Sequence, residues 1–150
     1  GNFINNSDSK PKLYSCSINT AISDFYKVIE HSLRADSCEC VLDLEENIPS
    51  ILSNYTSLKQ ILINSFSLIN PLRGTGGGII IQSRYSNETI IVKMLFTDTI
   101  EGIAKEDKEF GINILKHLMD KHEGEMRLSS ESATGTNLIF SFPLKRKMRE

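Results

Sequence analysis

The hydrophobic period of this chain switches repeatedly between that of a helix and that of a strand, and no apolar run outgrows a strand. Its longer apolar runs, such as Ile90-Ile91-Val92 and Met94-Leu95-Phe96, fall far short of the ~20 residues that cross a bilayer, so direct membrane insertion is not expected. A chain patterned this way can bury its apolar positions only if helices and strands share one core.

Read in order, Leu13 to Ile18 is a short extended run. Asn19 or Thr20 then supplies an N-cap for a helix to about Ala35, with Ile22, Phe25, Tyr26, Ile29 and Leu33 on one stripe. Cys38 to Leu44 alternates as a strand, with Cys38, Cys40, Leu42 and Leu44 on one face, and Pro49 falls in the turn after it. A second helix covers about Ser57 to Ile69, with Leu58, Ile61, Leu62, Ser65, Phe66 and Ile69 inward. Pro71 stops it, and Arg73 to Gly78 is a glycine-rich connection.

Two strands follow, Ile79 to Tyr85 and Thr89 to Thr97, joined by a Ser86-Asn87 turn. A third helix runs from Phe110 to Lys121 with Ile114, Leu115, Leu118 and Met119 inward. Last come strands of about Glu125 to Ser130 and Asn137 to Pro143, with Gly135 between them. The expected fold is α+β: a two-layer sandwich of one mixed sheet with about three helices on one face. Residues 1–12 read as a polar leader or linker, 13–144 as one domain, and 145–150 as a basic tail.

Seventeen basic and 19 acidic residues give a net charge of −2, and apart from Lys145-Arg146-Lys147 the two signs are mixed along the chain. Nucleic acid as a main partner needs a basic stripe to neutralise phosphates, and none is present. Three cysteines, an odd count, fit a reducing, cytoplasmic setting. Structural zinc takes four ligands, so Cys38 and Cys40 read as two small buried thiols and no metal site is expected.

Three segments carry a resemblance. FGINILKHLMDKHEGEM, from Phe110 to Met126, and ATGTNLIFSFPL, from Ala133 to Leu144, place His122, Gly124, Gly135, Thr136 and Pro143 in one register; LKQILINSFSLI, from Leu58 to Ile69, precedes them. Together these resemble the ATP-binding domain of histidine kinases, the Bergerat or GHKL fold, over nearly all of residues 13–144. The resemblance implies a pocket in which a buried Asp reads adenine. An Asn of the helix called the N box holds Mg²⁺, a hard cation that takes oxygen ligands. Glycines let backbone amides approach the phosphates, and a long lid closes over them.

In that register the pocket residues are Asp98 and Thr136 on the adenine side, with Gly102, Gly111 and Asn64 towards the phosphates. The departures cluster at the phosphate half. The magnesium-holding Asn aligns with Leu68, and a nearby basic residue aligns with Pro71. The first Gly of the second box is Ile100, a Gly of the third is Glu109, and only Ala104 to Glu109 remain where the lid belongs. His122 falls at a fold-defining position rather than a catalytic one, His117 reads as surface, and His31 lacks the long paired helix of a phosphoacceptor.

The function this implies is a non-catalytic regulatory or protein-interaction module of a two-component sensor protein, without catalytic residues and without ATP or Mg²⁺ as cofactor. Its expected partners are other domains of a sensor kinase, a response regulator or a partner kinase. The alternatives are an active phosphodonor domain of an atypical kinase, or the vestigial C-terminal domain of a histidine phosphotransfer protein.

Overall fold

The computed structural model describes residues 12–69, 77–97, 103–131 and 135–144. The polar leader 1–11, the tail 145–150, most of the glycine-rich connection, and Asp98 and Gly102 lie outside these residues.

The chain runs β1 (Tyr14–Cys16), α1 (Ile18–Ala35), β2 (Glu39–Leu44), β3 (Ile51–Ser53), α2 (Tyr55–Ile69), β4 (Gly78–Ser86), β5 (Thr89–Phe96), α3 (Lys105–Asp120), β6 (Glu125–Glu131) and β7 (Gly135–Pro143). Five strands form one sheet in the order β2-β4-β5-β7-β6; β2 pairs parallel with β4 and the remaining pairs are antiparallel. The sheet is mixed, as expected, because β2 reaches β4 only after a crossover that contains α2.

Period-2 alternation puts Ile79, Ile81 and Ser83 of β4, Ile90, Val92, Met94 and Phe96 of β5, and Leu138, Phe140 and Phe142 of β7 on the buried face. The helices cover that face with their own stripes: Ile22, Phe25, Ile29 and Leu33 from α1, Leu58, Ile61, Leu62 and Ile69 from α2, Leu115, Leu118 and Met119 from α3. Each such aliphatic side chain contributes ~1.5–3 kcal/mol of hydrophobic stabilisation when fully buried. Phe25 and Phe66 meet edge to face across α1 and α2, with ring centres 6.2 Å apart.

The structure corrects four readings. Ser17, not Asn19 or Thr20, caps α1: its hydroxyl accepts from the Thr20 amide at 3.1 Å. Asn19 instead joins the helix to the sheet. Its Oδ1 accepts from the Ser83 hydroxyl at 2.7 Å and its Nδ2 donates to the Glu45 carbonyl at 2.8 Å. Second, β3 was not anticipated; three residues are too few to show a period. It pairs antiparallel with β1 as a separate two-stranded sheet and leads into α2, which begins at Tyr55 with Asn54 accepting from the Ser57 amide at 2.8 Å.

Third, the β4–β5 turn is Asn87-Glu88, both at positive φ (52° and 56°), as a two-residue type I′ hairpin requires. Fourth, α3 starts at Lys105, five residues before Phe110. That last difference reshapes the site.

Candidate functional site

Three of the residues singled out by the sequence, Asn64, Leu68 and Gly111, lie where α2 and α3 pack side by side. Leu68, on the last turn of α2, is 7% exposed and faces Gly111 of α3. A Cβ at position 111 would lie 3.0 Å from Leu68 Cδ1, closer than carbon atoms ordinarily approach. Glycine is therefore what lets the leucine seat itself between the helices. Leu68, which the sequence register aligns with the magnesium-holding Asn, fills the space beside Gly111 with hydrocarbon.

Gly111 also has no amide to offer an anion. With α3 starting at Lys105, Gly111 lies in the helix interior, where an N–H bonds the carbonyl four residues back. The six residues Ala104 to Glu109, read as the remnant of a lid, are the cap and first turns of this helix. Unpaired amides sit instead at its new start, where Ala104 provides no side-chain cap and Glu106 and Asp107 occupy the first turn. Carboxylates there complement the helix dipole and repel a bound phosphate.

Asn64, one turn before Leu68, is half-buried, and its Nδ2 donates to the Gln60 carbonyl at 2.7 Å. It lines an open groove of about 450 Å³ between α2 and α3. On the adenine side, Thr136 opens β7 opposite Phe96, two residues before Asp98. It is fully buried, with its hydroxyl 3.1 Å from that of Ser130. The structure thus brings Asn64, Leu68 and Gly111 together and seals Thr136 beneath the surface.

His122 is structural. It is 3% exposed; Nδ1 lies 2.9 Å from the Leu118 carbonyl and Nε2 lies 2.7 Å from the Ser53 hydroxyl. The carbonyl fixes the proton on Nδ1, so Nε2 accepts from Ser53, and the ring meets Phe142 edge to face at 5.4 Å. This pairing of a serine and a histidine has the reach of a nucleophilic dyad but no access to solvent. Ser53 was missed because β3 was missed. His117 and His31 are exposed.

Cys38 and Cys40 are free thiols, and burial, with Cys38 beside it, pushes the Cys40 thiol up to about 11. A hydrogen bond from Arg84, 2.7 Å away, holds the Asp43 carboxyl below its ordinary value on the outer face of the sheet. Among the described residues no group of three His, Cys, Asp or Glu side chains is placed to hold a metal ion, and no helix is long and apolar enough to cross a membrane.

With this geometry in place, comparison with known structures defines the class: the chain has the histidine kinase catalytic-domain, or Bergerat/GHKL, fold. The nucleotide-free catalytic domain of histidine kinase ThkA matches 89% of this chain and 98% of its own length, with a TM-score of 0.76 and 20% identity. ThkA in complex with response regulator protein TrrA matches 89% of this chain and 42% of that one, with a TM-score of 0.71 and 21% identity.

In sequence the chain is similar to sensor histidine kinases. The uncharacterized sensor-like histidine kinase ycf26 of Pyropia yezoensis is 28% identical over 167 aligned residues, covering 89% of this chain and 25% of that protein. The chain spans about a quarter or less of the length of the curated relatives it matches. No family model matches it.

Proposed function

We propose that this domain is a non-catalytic regulatory and protein-interaction module of a two-component sensor protein, one that keeps the kinase scaffold and has given up Mg-ATP. One observation carries the reading: Leu68 is packed onto Gly111 where a metal and a phosphate need oxygen and open backbone amides. The early start of α3 and the carboxylates of its first turn support the same reading, since Glu106 and Asp107 give that helix start a negative charge that disfavours a phosphate. A fold can outlast the chemistry it once supported, because packing and catalysis depend on different residues.

The response regulator bound to ThkA makes such a protein one candidate partner here, alongside other domains of a sensor kinase or a partner kinase. Isothermal titration of the domain with Mg-ATP is the test. No saturable heat is expected at millimolar nucleotide; micromolar, magnesium-dependent binding overturns the proposal.

A further inference from the structure

The five-stranded sheet ends in β6, and among the described residues no strand pairs with its outer side. An edge strand turns a row of backbone N–H and C=O groups outward. Proteins ordinarily blunt such an edge with a proline, a bulge, an inward-pointing charge or a very short strand. β6 has none of these. It runs seven residues, Glu125 to Glu131, contains no proline and stays in unbroken register with β7. Met126, Leu128 and Ser130 face the helical layer, opposite the buried Phe140, Leu138 and Thr136 of β7, and all three are uncharged. The charges of β6, Glu125, Arg127 and Glu131, stand with Ser129 on the outer face of the sheet and are exposed.

Such a strand matches its own copy. In antiparallel pairing about a two-fold axis, residues directly opposite each other share a face, so each register stands or falls on its charges. With the axis at Ser129, Arg127 of each copy lies opposite Glu131 of the other, twice over, and Leu128 lies opposite Ser130. With the axis at Leu128, Glu125 faces Glu131; at Arg127, two guanidinium groups meet. An axis at Met126 joins Glu125 to Arg127, but there, as at Ser130, only three residues of each strand come into register. The axis at Ser129 alone combines length with opposite charge. The other edge of the sheet offers no such match. β2 carries Glu39 and Asp43 on one face, both acidic, so no self-pairing of it sets opposite signs together.

We infer that β6 is a self-association edge: two copies of this domain pair their β6 strands antiparallel about an axis at Ser129, making one continuous sheet of ten strands. The axis runs perpendicular to the sheet, so both helical layers lie on the same side. Backbone hydrogen bonds supply the attraction, and the two Arg127–Glu131 pairs set the register. The inference goes beyond the proposed loss of Mg-ATP and stands independently of it, because β6 holds none of the residues assigned to the nucleotide pocket.

Sedimentation equilibrium of the whole chain, from micromolar to millimolar concentration, reads the association. A reversible dimer with a Kd on the order of 100 μM is expected, since an edge pairing buries little surface. Arg127→Glu alone and Glu131→Arg alone should each weaken it at least about tenfold, because either change sets two like-charge pairs across the axis. Mixing the two variants should restore it, since each then supplies the charge that the other lacks. Ser129→Cys should form an intermolecular disulfide under mild oxidation. Residues opposite each other in an antiparallel pair lie about 4.5–5.5 Å apart between Cα atoms, within disulfide reach. Glu125→Cys, roughly 27 Å from its own copy at ~3.4 Å per residue, should not. The wild type, whose Cys16 and Cys38 are buried, sets the baseline.

A chain that stays monomeric at millimolar concentration overturns the inference. So does a dimer that tolerates both charge reversals, a mixture that associates no better than its components, or a disulfide yield no higher for Ser129→Cys than for Glu125→Cys. Thermal melts check that each variant keeps the fold. The mixture repeats that check, since misfolded chains cannot restore the pairing.

Discussion

Leu68 and Gly111 form a knob and socket between α2 and α3, and their coupling can be measured. Leu68→Ala should cost about 2–5 kcal/mol, the range for emptying a buried leucine site. Gly111→Ala gains about 1 kcal/mol of helix propensity but drives a methyl into Leu68, at a cost of about 1–3 kcal/mol. It should therefore be neutral to destabilising alone and stabilising in the Leu68→Ala background. Urea denaturation of the four proteins tests this reversal of sign; additive effects would mean that the two residues do not touch. Ser53→Ala should cost about 1–3 kcal/mol, because it leaves His122 Nε2 without the Ser53 hydroxyl in a dry environment. Cys40 gives a pH signature. A thiol ionises near pH ~8.5 in an unfolded chain, whereas in the fold it holds its proton up to about 11. The contribution is fully present below pH ~8.5 and is lost as pH rises towards the folded value, since only the unfolded state releases the proton there. Cys40→Val should lack that part of the alkaline decline in melting temperature, and Cys40 in the folded wild type should react slowly with thiol reagents at pH ~8.

At the scale of elements, the exit from α3 shows how one turn positions a sheet edge. Gly124 N–H bonds the Met119 carbonyl at 3.0 Å and Glu123 N–H bonds the Asp120 carbonyl at 3.0 Å, the Schellman pattern of a helix end. Glu123 sits at φ +53°, the left-handed position that the pattern usually gives to glycine. Glu123→Gly is expected to stabilise by about 1 kcal/mol, up to the strain that a side chain feels there. Gly124→Ala is the opposite case. Its Cβ would come 2.1 Å from the Ser141 carbonyl oxygen of β7, and backbone has no rotamer by which to retreat. A loss of at least about 2 kcal/mol is expected, read from thermal melts of the two variants side by side.

For the whole molecule, the helical layer and the sheet face each other through one continuous core. Thr136, which the sequence register sets on the adenine side, is fully buried; under the proposed loss of Mg-ATP the domain takes up no nucleotide. Nucleotide analogues are therefore expected to leave the melting temperature unchanged, whereas a ligand at 100 times its Kd would add about 2.7 kcal/mol. On the outer face, the Asp43–Arg84 pair is nearly half exposed, so its support is screened. The lowered Asp43 pKa makes that support present above the unfolded carboxylate value and lost as pH falls through the folded one. Asp43→Asn should correspondingly flatten the acid limb of a pH–stability curve, and only slightly.

The order of elements could be read from the chain because a helix repeats every 3.6 residues and a strand every two, and each long element here holds several periods. Leu68 and Glu109 stood out in the sequence for a related reason: their chemistry departs from the pattern that the neighbouring residues resemble. The sequence left undecided everything fixed by residues distant along the chain. Three-residue β3 exists because β1 pairs with it, and Ser53 matters because His122, 69 positions later, needs a hydroxyl. The start of α3 at Lys105 is set by more than its apolar stripe, which begins later. The tight seat of Leu68 on Gly111 and the groove beside Asn64 arise from how closely two helices approach. Local periodicity names an element and its buried face; the distance between two such faces is settled only when the whole core packs.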